Sequence, residues 1–209
     1  MTELPPGRVT QVIAAITVIA FLLLWASKLL PLASLAGGFI PARASELVQL
    51  PGAVPVWLTP LSATFIHAGM LHLAFNLLLF VYVGRFVEGV IGGWGSVALY
   101  LIGAYAAALL HWLIEPATTV PMVGASGAIS ATFGAYAVFF GRDRTAGIGP
   151  LSGYAVRILW LASAWIFVQS LIGVAAIGGV QVAIFAHIGG FIAGLVLARP
   201  LLMWRYRGA

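Results

Sequence analysis

The sequence predicts an all-α fold, a polytopic membrane protein built as a bundle of six transmembrane helices. Three observations carry that reading. Of 209 residues, 62% are hydrophobic and only 7% are charged, against roughly 25% charged in a soluble domain, so too few charges exist to cover a water-facing surface. Mean hydropathy is +1.09. The apolar residues gather in six stretches, each close to the ~20 residues that cross a bilayer. Six such spans use about 120 positions, which leaves no room for a second folded unit. Residues 1–209 therefore read as one membrane-embedded domain.

The spans are expected at 11–30, 61–84, 95–114, 123–140, 155–176 and 181–198. The first is too long for the core of a secretory signal and has no convincing cleavage site before Pro31. The connection 31–60 carries Arg43, Glu46 and five of the eleven prolines. Leu47, Val48, Leu50, Val54, Val56, Trp57 and Leu58 keep it apolar, so it reads as an ordered or membrane-resting loop. Gly84 ends the second span and Gly95 opens the third. Gly141-Arg142-Asp143-Arg144 makes a short polar link, and Gly178-Gly179 a tight turn between the last two spans.

Cation placement sets the orientation. With a cytoplasmic N-terminus, the inner side holds Arg8, Arg85, Arg142, Arg144, Arg157, Arg199, Arg205 and Arg207, and the outer side only Lys28 and Arg43. Both termini are thus expected in the cytoplasm, in a protein of the bacterial inner (plasma) membrane, and the even-numbered spans run from outside to inside. The net charge of +5 is explained by this asymmetry, and no nucleic-acid partner is expected. The absence of cysteine excludes disulfides, thiolate nucleophiles and thiolate metal sites.

Polar side chains inside a membrane span are costly and mark function by default. The second span holds His67, His72 and Asn76 in HAGMLHLAFN; the fourth opens with Gly124-Ala125-Ser126-Gly127; the sixth carries His187 in AHIGGFIAG. At about 1.5 Å rise per residue, His72, Ser126 and His187 share a depth roughly 5–15 Å below the outer ends of their spans. His72 and Asn76, four apart, share a helix face. His67, five before His72, points away on a continuous helix and reads as a support of the outer loop or a weaker member of the cluster. Ser126, Ser130 and Gly134 form one stripe of small residues, and Gly190, Gly194 and Ala198 another. Such stripes let membrane helices approach closely, which would bring the His187 imidazole to the Ser126 hydroxyl.

A serine beside a histidine base is the arrangement nucleophilic acyl transfer needs. His72 and Asn76 offer side-chain donors to a developing oxyanion, and the Ser126 N–H at a helix start offers a third. None of the acids, Glu3, Glu46, Glu88, Glu115 and Asp143, falls at the cluster's depth, so a dyad is expected rather than a triad. With no HExxH and no carboxylate beside the histidines, neither a metal nor any other cofactor is expected. His111, beside Trp112 and Glu115, reads as an interfacial anchor, as do Trp57, Trp94, Trp112 and Trp204.

The ordered set HAGMLHLAFN, GASGAIS and AHIGGFIAG, on alternating spans, resembles the rhomboid family of intramembrane serine proteases over nearly the whole chain. The resemblance implies a rhomboid-like bundle with Ser126 as nucleophile, His187 as general base, and His72 with Asn76 in the oxyanion hole. It implies that Gly124 opens the GxSG motif completed by Gly127, that Gly190 and Gly194 are close-packing glycines, and that Glu88 has a structural role near the inner surface. It implies substrates that are membrane-anchored proteins within the lipid bilayer, cut near the start of a span. Two positions depart from the family pattern. Ser130 stands where many members carry an aromatic packed against the histidine, with Phe133 or Tyr136 as substitutes, and Trp57 is followed by Leu58 rather than arginine. The rival is a catalytically inactive rhomboid-like protein that binds client transmembrane helices, which would lack the serine or the histidine. A small transporter would want intramembrane carboxylates.

Overall fold

Helices dominate because long apolar runs in lipid must satisfy every backbone group internally. The computed structural model describes residues 5–140, 146–175 and 183–208. The expected link at Gly141 to Arg144, the Gly178-Gly179 turn and the expected start of the last span at Gln181 lie outside the described residues, as does Glu3. The helices are α1 (Arg8–Ala26), α2 (Leu30–Gly37), α3 (Pro41–Ala44), α4 (Thr59–Ser62), α5 (Met70–Ile114), α6 (Ser126–Phe140), α7 (Gly153–Ala175) and α8 (Ile184–Arg205). Among the described residues there is no β-strand, only isolated bridges at Phe39–Met122 and Ile148–Leu151.

The protein is an integral membrane protein. By length and composition α1, α5 and α8 can each cross a bilayer, and Leu23, Leu78 and Val196 stand exposed on their outer faces. With 15 residues, α6 spans only about 22 Å, short of the ~30 Å hydrocarbon core. It is the central helix, with ten of its residues buried between α5 and α8. A helix sheathed in protein has no need to match the lipid thickness.

The sequence places a break of ten residues between the second and third spans. The structure reduces it to one. At 45 residues α5 is continuous except at Gly92, whose φ of 76° and ψ of 170° lie where a side chain is strained and glycine is not. Arms 70–91 and 93–114 meet there. At the other end, the expected helical stretch 61–69 is not a transmembrane helix. It forms α4, a 3₁₀ turn at Ala63–Phe65 and an extended lead-in through Ile66 and Gly69.

Glu88, near the end of the first arm, explains why α1 starts three residues earlier than its apolar run. Its carboxylate accepts from the Val9 N–H (3.0 Å), the Thr10 N–H (2.8 Å) and the Thr10 hydroxyl (2.7 Å). Those donors belong to a first turn that a helix cannot satisfy itself, and a carboxylate there also complements the helix dipole. The Arg85 Nε donates to the Pro5 carbonyl at 2.6 Å, and Arg205 Nη1 to the Gly89 carbonyl at 2.5 Å. The end of α8 differs from expectation too. It continues through Pro200 to Arg205 rather than stopping near 198, because the single backbone bond a proline removes is tolerated in a membrane helix held by neighbours.

Packing of α6 against α8 is backbone on backbone. A Cβ on Gly194 would fall on the Ala131 carbonyl, with Ala131 Cα only 2.9 Å away. One on Gly190 would fall on the Gly127 carbonyl, and one on Gly134 would meet Gly194 Cα at 3.1 Å. The second arm of α5 joins through Gly103 and Ala107, which abut Ala131 and Gly127. Gly194→Ala is expected to lower unfolding stability in detergent by about 1–3 kcal/mol through overpacking. Gly69→Ala, with nothing within 4 Å of its added carbon, should stay within about 0.5 kcal/mol. Reversible unfolding of both variants beside wild type checks the contrast.

Candidate active site

The segment leading to Ser126 is pinned from several directions. Phe39 and Met122 exchange both backbone bonds, at 3.0 and 2.8 Å, and the Ala42 N–H donates to the Thr118 carbonyl at 3.0 Å. The Gly124 N–H donates to the Ala63 carbonyl at 2.9 Å. The Ala125 N–H reaches His67 Nε2 at 3.4 Å. Gly124 itself turns the chain at φ 113°, and a Cβ there would press on His72 Cε1 at 2.7 Å and Nε2 at 2.8 Å. Only glycine allows both that torsion and that ring. Immediately after this bend α6 begins at Ser126, so the Ser126 and Gly127 N–H groups belong to the turn that lacks internal acceptors.

His187 stands in the first turn of α8. Its Nε2 lies 2.8 Å from Ser126 Oγ, a hydrogen bond between residues 61 apart in the chain. The pair is almost sealed, with Ser126 7% and His187 4% exposed. His187 Nδ1 is buried without a partner, so no carboxylate among the described residues orients the ring. Asn76 is fully buried and its Nδ2 donates to the His72 carbonyl at 2.9 Å, which leaves one amide hydrogen unspent. Asn76 Oδ1 and His72 Nδ1 are buried and unpartnered. Unpaired polar atoms in such a place point to a site that takes water or a polar guest. Among the described residues no three His, Asp or Glu side chains gather as a metal-ligand set.

Several expectations need correction. His67 does not point away from the cluster. It is fully buried and its ring meets that of His72 edge-on at 5.0 Å. The five-residue spacing misleads because the chain between the two is not helical until Met70. His111 is not an interfacial anchor either. It is buried, with Nδ1 3.4 Å from Glu115 Oε2. Its neighbour Trp112 does the anchoring, donating Nε1–H to Ser45 Oγ at 2.8 Å, while Ser45 Oγ–H donates to the Pro116 carbonyl at 2.8 Å. In the loop between α2 and α4, Arg43 donates Nη2–H to the Val54 carbonyl at 2.9 Å, and Trp57 is exposed. Glu88 lies with the start of α1, away from the cluster.

The aromatic against His187 is neither Phe133 nor Tyr136. Trp165 of α7 meets the imidazole at 6.4 Å between centroids, and Phe133 stacks on Trp165 at 4.3 Å. Tyr136 packs on Phe86 and Phe140. A signal for Trp165 existed in the sequence: it lies mid-span, where tryptophan is far from the interface that usually holds it.

The rhomboid domain matches residues 55–204 of this chain. The chain belongs to the rhomboid family. It is 36% identical over 104 residues to Rhomboid-like protein 11, chloroplastic, of Arabidopsis thaliana, covering 50% of this chain and 36% of that protein. It is 31% identical over 139 residues to Rhomboid protease GlpG of Klebsiella pneumoniae, covering 66% and 46%. Over 148 residues it is 28% identical to RHOMBOID-like protein 4 of Arabidopsis thaliana, covering 71% and 35%. The chain spans between about a third and a half of the length of these curated relatives.

In this rhomboid, His67→Ala is expected to cost about 1–3 kcal/mol of unfolding stability by leaving the buried Ala125 N–H without its acceptor. His67→Gln, which restores an acceptor, should recover much of the loss. Equilibrium unfolding in detergent checks both.

Proposed function

We propose that this rhomboid is an intramembrane serine endopeptidase that cleaves membrane-anchored proteins through an acyl-enzyme on Ser126. The observation that carries the reading is the 2.8 Å contact between Ser126 Oγ and His187 Nε2, beside a helix N-terminus and two unsaturated polar side chains. The Ser126 hydroxyl donates to Nε2, and the imidazole takes the proton as Oγ attacks the scissile carbonyl. His187 then returns that proton to the departing amine, and a water molecule activated by the same nitrogen releases the acyl group. His72, the second Asn76 amide hydrogen and the Ser126 backbone N–H hold the oxyanion, each such donor being worth roughly 3–4 kcal/mol in the transition state.

The substrate class follows from the same physics. A carbonyl in an intact membrane helix is hydrogen-bonded within its own segment, so a client must unwind near the end of its span before Ser126 can attack. Six crossings fit the helices: α1, the two arms of α5, α6, α7 and α8. The cation asymmetry supports cytoplasmic termini, because Arg8, Arg85 and Arg205 share the end of the bundle where Glu88 meets α1, whereas Arg43 lies in the loop that braces Ser126.

A fluorophosphonate probe tests the reading. Purified protein in detergent should be labelled covalently at Ser126, and Ser126→Ala should abolish both labelling and cleavage of a transmembrane substrate. Asn76→Ala should slow cleavage by about 10²-fold. A folded protein that binds a client helix yet takes no label would establish the non-catalytic rhomboid-like alternative.

A further inference from the structure

Taking Ser126 and His187 as nucleophile and base, the dyad still lacks something. A base must be aimed as well as placed, and in a triad the acid on Nδ1 does the aiming. His187 Nδ1 has no partner, and the last torsion of a histidine is a broad, soft one. The α8 backbone fixes the β-carbon but not the ring plane.

We propose that Trp165 is the positioning residue that sets the angle of the His187 ring, locked in place through Ser130. Trp165 is 3% exposed and is restrained on more than one side. Its Nε1–H donates to Ser130 Oγ at 2.6 Å, and Phe133 stacks on it with only 21° between planes. Its ring then meets the imidazole at 64°, the edge-to-face arrangement aromatic rings prefer. Ser130 Oγ–H in turn donates to the Ser126 carbonyl at 2.7 Å. The contacts close a circuit over three helices: Ser126 carbonyl, Ser130 hydroxyl, Trp165 indole, His187 imidazole, Ser126 hydroxyl. The nucleophile and the base are thereby referenced to each other at both ends.

The circuit accounts for the small residue at 130. Ser130 Cβ lies 3.0 Å from where a Cβ of Gly190 would sit, so the close approach of α8 leaves little room for a ring carried on α6. A ring reaching across from α7 avoids that conflict, and the hydroxyl serves the indole N–H, which would otherwise be buried unpaired.

The test compares wild type, Trp165→Ala, Trp165→Phe and Ser130→Ala as purified full-length chains, by the rate of fluorophosphonate labelling at Ser126 and by KM and kcat on a transmembrane substrate. Trp165→Ala should lose on the order of 10- to 100-fold in labelling rate and kcat, a size that misplacement of a reacting group produces, with KM unchanged. Trp165→Phe and Ser130→Ala keep a ring but lose the bond that fixes its angle, and should each lose roughly three- to tenfold in kcat. A merely structural tryptophan would lower the melting temperature without separating kcat from KM. Trp165→Ala at the wild-type rate overturns the proposal. Should that variant fail to fold, wild-type kcat in both milder variants overturns it equally. An unlabelled wild type would instead sink the dyad reading itself, so the two failures are distinct.

Discussion

The approach of α6 to α8 is the constraint on which the remaining structure rests. Their axes come so close at Gly190 and Gly194 that glycine hydrogens face the carbonyls of Gly127 and Ala131. In lipid there is no hydrophobic drive to press helices together, so contact of this kind depends on shape. The closeness that buries the backbone also sets how far the first turn of α8 stands from the first turn of α6. His187 and Ser126 occupy those two turns. Widening the seam by the thickness of a methyl group would exceed the tolerance of a 2.8 Å hydrogen bond, because interdigitated backbones have no flexible side chain to absorb the change.

Around this seam the protein holds its two ends differently. The end near Glu88 is closed by charge: that one carboxylate takes three donors from the start of α1, and two arginines reach backbone carbonyls. The opposite end is closed by backbone pairing, with the loop at Phe39 and Ala42 bonded to the strand-like stretch before Gly124. Backbone pairing and a glycine bend set the first N–H groups of α6 in place and leave the polar atoms of His72 and Asn76 unspent.

Much of this was legible in the sequence, and the reason is geometric. Ser126, His187, His72 and Asn76 could be matched by counting residues down helices given alternating directions, since depth in a membrane is a coordinate that composition reveals. The small-residue stripes then supplied the lateral contact. What failed were inferences that assumed a continuous helix, or that looked only along one helix. His67 misleads because a wheel drawn through Gly69 describes a segment that is extended. Gly92 is hidden among Gly93 and Gly95, and nothing in the composition says which of them carries the positive φ. Trp165 belongs to α7, a helix without motif, and its partner Ser130 looks like one more small residue until the indole is seen beside it.

The separation of 61 positions between Ser126 and His187 also governs when their contact can exist. A ribosome adding about 5–20 residues per second finishes α6 several seconds before α8 is made. During that interval the His67 and His72 rings that flank Gly124 and Ala125 already exist, but His187 has not been made. The 2.8 Å contact is therefore a late event of synthesis, made only when the closing segment arrives.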